Sequence, residues 1–421
     1  MDKFIIRGGK KLSGEVSVSG AKNASLALMP AALLASGVSK LNNTPQLNDV
    51  YTMMKLLKEL GVKPKFENDI LELDTKNITS QVAPYEHVKK MRASVYVLGP
   101  LTSRFGYAKV SLPGGCAWGP RPINLHLEAL KKMGAEIDLV EGYIIAKSKR
   151  LQGAKINFDV SSVGATGNTL MAASLAKGTT VINNAAMEPE ISNLAEFLIK
   201  MGAKIEGAGT STLSIEGVDE LNAAGINTIA DRIEAGTLLI AAAMTNGEIT
   251  LKGISDFLIS SILAKLEDSG CKIEINSSNI SLKSSGNFIK PINVTTSIFP
   301  GFPTDMQAQW TAYMSVADGV SYVTDTIYLD RFKHVPELVR LGADIRVNEN
   351  TAVIKGVNKL KGAKVMSTDL RASASLVLAG LAAEGTTEVL RVYHLDRGYQ
   401  RIEEKLKSLG ADIERAAGAE Y

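Results

Sequence analysis

The chain predicts an α/β fold of six βαβαββ repeats, grouped in two globules of three, with helices inside and sheets outside. Two recurring phrases and one contrast between helices carry this reading. An apolar helix end running into glycine and a strand recurs as Leu60-Gly61-Val62, Met133-Gly134-Ala135, Met201-Gly202-Ala203, Ser269-Gly270-Cys271, Leu341-Gly342-Ala343 and Leu409-Gly410-Ala411. A glycine that opens a strand after an Ala-rich helix recurs at Gly37, Gly106, Gly178, Gly247, Gly319 and Gly385. Both series keep a period of roughly 70 residues, which marks a repeated structural unit. The contrast lies in the helices. One kind is small and apolar most of the way round, as in Ala24 to Ala35, Thr169 to Ala176, Ala235 to Met244 and Ala372 to Ala383. Such a helix is buried, so the repeats assemble around it.

Each repeat reads in the same order. After the buried helix come a glycine and a strand, such as Ile249, Leu251 and Ile254 at near-alternate positions. An amphipathic helix follows, with Val50, Met53, Leu57 and Leu60 in one copy and Ile191, Leu194, Leu198 and Met201 in another, which places it at the surface. The glycine after it suits a left-handed C-terminal cap. A hairpin closes the repeat, as in Ile345-Arg346-Val347 turning through Asn348-Glu349-Asn350 to Ala352-Val353-Ile354. Met1 to Gly20 precede the first repeat and are expected to form an extra strand pair. The expected domains are 1–20 with 230–421, holding repeats four to six, and 21–229, holding repeats one to three. A cleft between them, faced by helix N-termini, would attract anions.

Composition bounds the function. A chain of 421 residues can bury two cores, and a formal charge of +3 without long basic runs argues against a nucleic-acid partner. Cys116 and Cys271 lie far apart, and His87, His126, His334 and His394 have no metal-ligand spacing, so neither a disulfide framework nor a metal site is indicated. The N-terminus lacks a signal-peptide pattern. The longest apolar run, Leu238 to Met244, is far short of the ~20 residues that span a bilayer. A soluble, cytoplasmic protein in a reducing compartment is expected, working without a membrane and as a monomer.

The densest stretch for chemistry is Pro113-Gly114-Gly115-Cys116-Ala117-Trp118-Gly119-Pro120-Arg121-Pro122-Ile123-Asn124-Leu125-His126. So many breakers make a loop in which Cys116 is presented to solvent near Arg121, a setting for a reactive thiol or simply a small loop residue. Charged groups also begin the buried helices: Lys22-Asn23, Arg92, Asp305 and Asp369-Arg371. Asp305 and Asp369 suit caps. Lys22, Arg92 and Arg371 do not, since the helix dipole opposes them, and an anionic ligand explains them better. Arg397, in Leu395-Asp396-Arg397-Gly398-Tyr399, could join that group. His126 and His394 read as structural, and Trp310 as packing.

Ser19-Gly20-Ala21-Lys22-Asn23-Ala24, Met91-Arg92-Ala93-Ser94, Pro113-Gly114-Gly115-Cys116 with Gly119, Arg121 and His126, Val163-Gly164-Ala165-Thr166, Asp231-Arg232-Ile233-Glu234-Ala235-Gly236, Phe302-Pro303-Thr304-Asp305-Met306-Gln307, Arg331-Phe332, His334-Val335-Pro336-Glu337 and Asp369-Leu370-Arg371-Ala372 span nearly the whole chain. Together they resemble the enolpyruvyl transferases, and among them the UDP-N-acetylglucosamine 1-carboxyvinyltransferase family. The resemblance implies an inside-out α/β barrel in each globule. It also implies addition of a sugar 3-hydroxyl to C2 of phosphoenolpyruvate, protonation at C3, and loss of phosphate, with no metal or organic cofactor. It nominates Lys22, Arg121 and Arg397 as cations for phosphoenolpyruvate, Asp305 as base and Cys116 as proton donor, a thiol that can also add to C2. Asn23, Arg92, Arg121, Pro122, Ile123, Asn124, Leu125, Ser162, Val163 and Ile327 would meet the sugar nucleotide, and Asp369 and Arg371 would join the substrate site. Three positions depart from the family pattern: Tyr96 for a frequent Trp, Trp118 for a smaller aliphatic, and Val160 for a Lys found in some members.

Two other readings remain. The shikimate-pathway enolpyruvyl transferase shares the repeat fold, but its Lys-containing motif has an Asp where this chain has Ala21, and it lacks the Gly-Gly-Cys loop. A non-catalytic repeat scaffold could use the same cations to bind an acidic partner.

Overall fold

The computed structural model describes residues 2–89, 91–112, 123–286 and 288–417. The chain divides into a discontinuous domain, Met1–Ser19 with Ala230–Tyr421, and a continuous one, Gly20–Ile229. Gly20 thus belongs with the continuous domain.

In the continuous domain the described residues form three four-stranded sheets. One runs Gly225–Asn227, Val38–Asn42, Ile70–Asp74, Lys63–Glu67, its first pair parallel and the others antiparallel. Leu41 faces Leu71 across the ladder, and burial alternates along Ile70–Asp74, so one face of the sheet meets the core. The helices Lys22–Ala31 and Val163–Ala173 are buried along almost their whole length. Asn48–Glu59, Asn124–Lys132 and Pro189–Lys200 bury one side only, as their apolar spacing predicts.

The discontinuous domain repeats the plan. Every residue of Gln307–Met314 is buried, and Arg232–Met244 and Leu370–Ala382 are nearly so, the three packing on one another. Trp310 fills this core edge-on to Phe302 and Tyr313, with ring centroids 5.4 and 5.3 Å away. Each domain has its own apolar cluster, with helices within and sheets covering them: the inside-out α/β fold. Among the described residues no helix is long and apolar enough to cross a membrane.

The glycines mark the joints. Gly61, Gly134, Gly202, Gly270, Gly342 and Gly410 all sit at positive φ just after the amphipathic helices, as left-handed caps. In the second series Gly247 is the exception. Asn246 takes the left-handed turn there, and Gly247 instead brings its backbone so near Leu12 that a Cβ would lie 2.4 Å from the Leu12 carbonyl oxygen.

The N-terminal segment corrects an expectation. Asp2–Arg7 and Ser13–Ser17 do not form an extra pair. Asp2–Arg7 lies antiparallel between Thr386–Leu390 and Asp412–Ala417, supplying the hairpin arm that the sixth repeat lacks. Ser13–Ser17 runs parallel to Glu248–Lys252 and leads the sheet of repeat four, while Gly225–Asn227 leads the sheet of repeat one. The leading strands of repeats one and four are therefore exchanged. Each strand ahead of a crossing stays in the domain the chain is leaving, and the parallel place in that domain's sheet is where its backbone groups find partners.

Candidate active site

A buried charge cluster lies in the discontinuous domain. Asp305 sits in the short 3-10 turn Thr304–Met306 that leads into Gln307–Met314, yet its side chain caps neither element. Its two carboxylate oxygens instead receive Arg331 Nη1 at 2.8 Å and Arg371 Nη2 at 2.7 Å. Both guanidiniums are buried, at 7% and 6% side-chain exposure, whereas the carboxylate keeps 25%. Burial alone would raise the Asp305 carboxyl, but Arg371 and Arg331 outweigh it and hold it well below the usual carboxylate range. Burial pulls the Arg371 guanidinium down, and Asp305, Tyr399 and Asp231 more than reverse that.

Helix geometry aims these groups. Asp369 caps Leu370–Ala382 by accepting from the backbone N–H of Arg371 and Ala372, at 2.9 and 3.1 Å, which leaves the Arg371 side chain to reach Asp305. Asp231 caps Arg232–Met244 in the same way. Asp325, fully buried, accepts from Thr296 Oγ1, Thr304 Oγ1 and the backbone N–H of Ile327 and Tyr328. It thereby joins the turn that carries Ile327 to the residue before Asp305. His334 is buried beside Arg331, and burial with that cation pushes its imidazole down to about 3. Arg397 ends the 3-10 segment Val392–Arg397, two residues before Tyr399, whose hydroxyl meets Thr237 Oγ1 at 2.9 Å and Arg371 Nη1 at 3.4 Å.

The continuous domain gathers a second set. Lys22 opens Lys22–Ala31 and pairs with Asp49 at 2.7 Å, both largely buried; Asn23 beside it is exposed. Asn124 and Leu125 begin Asn124–Lys132, Ile123 is its N-cap, and His126 turns inward from it. Asn168 accepts from the Gly99 N–H and donates to His126 Nδ1 at 3.1 Å, which leaves the imidazole proton on Nε2, against Gly164. Burial and the nearby Arg92 guanidinium push His126 down to about 4, so it is neutral at ordinary pH. Ser162 caps Val163–Ala173 by accepting from the Ala165 N–H, and Tyr96 donates to the Val163 carbonyl at 3.3 Å. Arg92 and Gly164, the second residue of Val163–Ala173, are thus brought close to one neutral histidine that follows Leu125 in the chain. Val160 is exposed.

Cys116, Arg121 and Pro122 lie outside the described residues, as does Trp118. Cys271 is buried beside Ser269 and Tyr313. Among the described residues no group of His, Cys, Asp or Glu could hold a metal ion. For Lys22 and Arg371, whose place at helix starts pointed to an external anion, the structure supplies internal carboxylates, Asp49 and Asp305. Sequence reasoning assigned no role to Arg331, Asp325 or Asp49. Arg331 stood inside a motif already singled out; Asp325 and Asp49 carry no spacing signal, because the side chains they bind, Thr296, Thr304 and Lys22, are distant in sequence.

The sequence profile of the family described as EPSP synthase (3-phosphoshikimate 1-carboxyvinyltransferase) matches residues 6–406, and the chain belongs to that family of carboxyvinyl transferases. Relatives named UDP-N-acetylglucosamine 1-carboxyvinyltransferase match it end to end. That of Chloroherpeton thalassium is 60% identical over 424 residues, covering 100% of this chain and 99% of the relative. That of Geotalea daltonii is 54% identical over 415 residues, covering 99% of each. Among solved structures, the enolpyruvyl transferase NikO from Streptomyces tendae superposes with a TM-score of 0.90 at 25% identity, covering 99% of both chains. EPSP synthase from Acinetobacter baumannii reaches 0.76 at 18% identity over 99% of this chain and 100% of its own, a likeness of fold alone.

Proposed function

We propose that this chain transfers the enolpyruvyl group of phosphoenolpyruvate to the 3-hydroxyl of UDP-N-acetylglucosamine, releasing phosphate, the first committed step of peptidoglycan synthesis. The observation that carries the reading is 60% identity across the whole chain to a protein named for that reaction. The shikimate reading rests on the family description and on a fold likeness at 18% identity, which is weaker.

The chemistry distributes over the residues as follows. The sugar hydroxyl oxygen bonds to C2 while C3 gains a proton; C3 then loses a proton as the C2–O bond to phosphate breaks. Lys22, Arg121 and Arg397 hold the phosphate and carboxylate, where guanidinium forks fix orientation as well as charge. Cys116 protonates C3, and Asp305 takes the hydroxyl proton. A carboxylate gripped by two arginines is a weak base, so Asp305 acts once a substrate anion draws Arg331 or Arg371 away from it. Asn23, Arg92, Arg121, Pro122, Ile123, Asn124, Leu125, Ser162, Val163 and Ile327 meet the sugar nucleotide. Asp369 acts by aiming Arg371. The roles of Cys116, Arg121 and Pro122 rest on motif resemblance. We infer a cytoplasmic monomer, since both substrates are soluble anionic metabolites; light scattering near 44.9 kDa would agree with the monomer.

The test is phosphate release from phosphoenolpyruvate with each acceptor. Release that requires UDP-N-acetylglucosamine is the expected result. Release with 3-phosphoshikimate instead would install the shikimate reading, and release with neither would favour the anion-binding scaffold.

A further inference from the structure

Arg397 sits in a short segment whose neighbours are each fastened. The side of Asp396 is held by Arg415, from the last strand Asp412–Ala417: Nη2 meets Asp396 Oδ1 at 2.6 Å and Nη1 meets Oδ2 at 3.1 Å, a two-pronged pair. Arg415 Nε also donates to Glu403 Oε1 at 2.7 Å, and Nη1 reaches Asp2 Oδ2 at 3.3 Å. The other side is fastened inward. A Cβ on Gly398 would lie 2.5 Å from Leu370 Cδ2, so its backbone is pressed against the start of Leu370–Ala382. Tyr399 is buried, its hydroxyl shared with Thr237 and Gln309. Two non-glycine residues with positive φ, Arg391 at 58° and Arg401 at 44°, bracket the segment. Such backbone is unfavourable for a non-glycine residue and persists only where surrounding contacts hold it.

Arg415 differs from the other arginine of its sheet. Arg7 pairs with Asp412 and Glu414 along the neighbouring strand, where both partners are at least 39% exposed, an arrangement that contributes little. Arg415 leaves the sheet, spans three acidic partners, and converges on the residue directly before Arg397. A bidentate pair restrains rotation as well as distance. We propose that Arg415, acting through Asp396, is the positioning residue that sets where the Arg397 guanidinium stands for its substrate anion. The proposal rests on Arg397 being an anchor for phosphoenolpyruvate.

The experiment is a double-mutant cycle on the full-length enzyme. Arg415→Met is expected to lower kcat/KM for phosphoenolpyruvate about 10- to 100-fold, the loss typical of a displaced positioning group, with the KM for the sugar nucleotide unchanged. In the Arg415→Met background, Arg397→Ala should cost about tenfold less than it costs in the wild-type background, because the two act as one unit. Asp396→Asn, which removes the fork's charge and keeps its size, should reproduce the pattern and serves if Arg415→Met does not fold. Amide exchange supplies a readout independent of turnover: residues 392–400 should exchange faster in both variants while 232–244 stay protected. Equal costs of Arg397→Ala in both backgrounds, matching losses for both substrates, or unchanged exchange across 392–400 would overturn the proposal. A wild-type enzyme that releases no phosphate would count against the function itself, and the exchange measurement would still decide the role of Arg415.

Discussion

In the discontinuous domain a carboxylate stands between two buried guanidiniums, whereas in the continuous domain the central titratable group is a neutral imidazole hydrogen-bonded to an amide. The two domains share one scaffold of three repeats, so the difference lies in which polar side chains the helices and the turns beside them direct inward. Asp305, Arg331 and Arg371 form a charged relay, which in the proposed reaction trades an internal partner for a substrate anion. His126, Asn168 and Gly99 form a neutral brace beside Arg92 and Gly164. In the proposed reaction the hydroxyl proton is taken where the charges are, at Asp305, while Cys116 as donor to C3 and Arg92, Ser162 and Val163 as sugar-nucleotide contacts fall within the chain segment of the continuous domain.

The contrast can be broken most severely at Asp305. Asp305→Ala leaves two buried guanidiniums facing each other and should cost about 3–5 kcal/mol of stability, beside loss of turnover. Lys22→Met in the continuous domain should cost less, because it takes one cation from a single carboxylate, whereas Asp305 is shared by two buried cations. Denaturant midpoints of the two variants compare them directly, and a larger loss at Lys22 would reverse the assignment of the charged relay. Next in size, Arg397→Ala should cut turnover about 30- to 1000-fold, or ~2–4 kcal/mol, without unfolding the protein. An unchanged kcat/KM for phosphoenolpyruvate would remove Arg397 from the site.

Acid sharpens the comparison further. The His126 pKa is depressed from about 6.5 to about 4, so the folded state binds the proton less well than the unfolded chain does. Its contribution is complete above about pH 6.5 and is lost as the pH falls toward 4, at ~1.4 kcal/mol per pH unit. His334 behaves likewise in the other domain, down to about 3. His126→Gln and His334→Gln should each flatten the fall of the denaturant midpoint between pH 6.5 and 4. A slope equal to wild type would show that the replaced ring is not held neutral by the fold. The Asp305 carboxylate, held low, adds stability that is present above about pH 4 and disappears at lower pH, so its signature falls in a more acidic window.

The smallest effect on stability is expected from the thiols, where the contrast is one of reactivity. A small electrophile carrying a phosphonate should label Cys116 and spare Cys271, which is 5% exposed beside Tyr313. Cys116→Asp should abolish labelling and keep some activity, since a carboxylic acid can also donate a proton, whereas Cys116→Ser should lose most turnover. Peptide mapping that finds Cys271 modified alone, or full activity in Cys116→Ser, would end the proton-donor assignment.

Much of this was legible before any coordinates. The period of the glycines, the two helix types and the hairpin through Glu349-Asn350 are local properties, set by backbone sterics and by where apolar side chains fall on a helix or strand; Glu349 indeed takes positive φ at that turn. The cations at the helix starts, Lys22, Arg92 and Arg371, were visible for the same reason, as departures from what a helix N-terminus favours. Their partners were not. Nothing near Asp305 in sequence announces Arg331 or Arg371, and Asp2–Arg7 looks like half of a hairpin until Thr386–Leu390 and Asp412–Ala417 are placed on either side of it. Ion pairs, strand exchange and the hold of Arg415 on Asp396 join residues tens to hundreds of positions apart. Sequence determined which elements form and which groups are anomalous in them; only the tertiary structure decided which anomaly answers which, because hydrogen bonds and charges are satisfied by proximity in space.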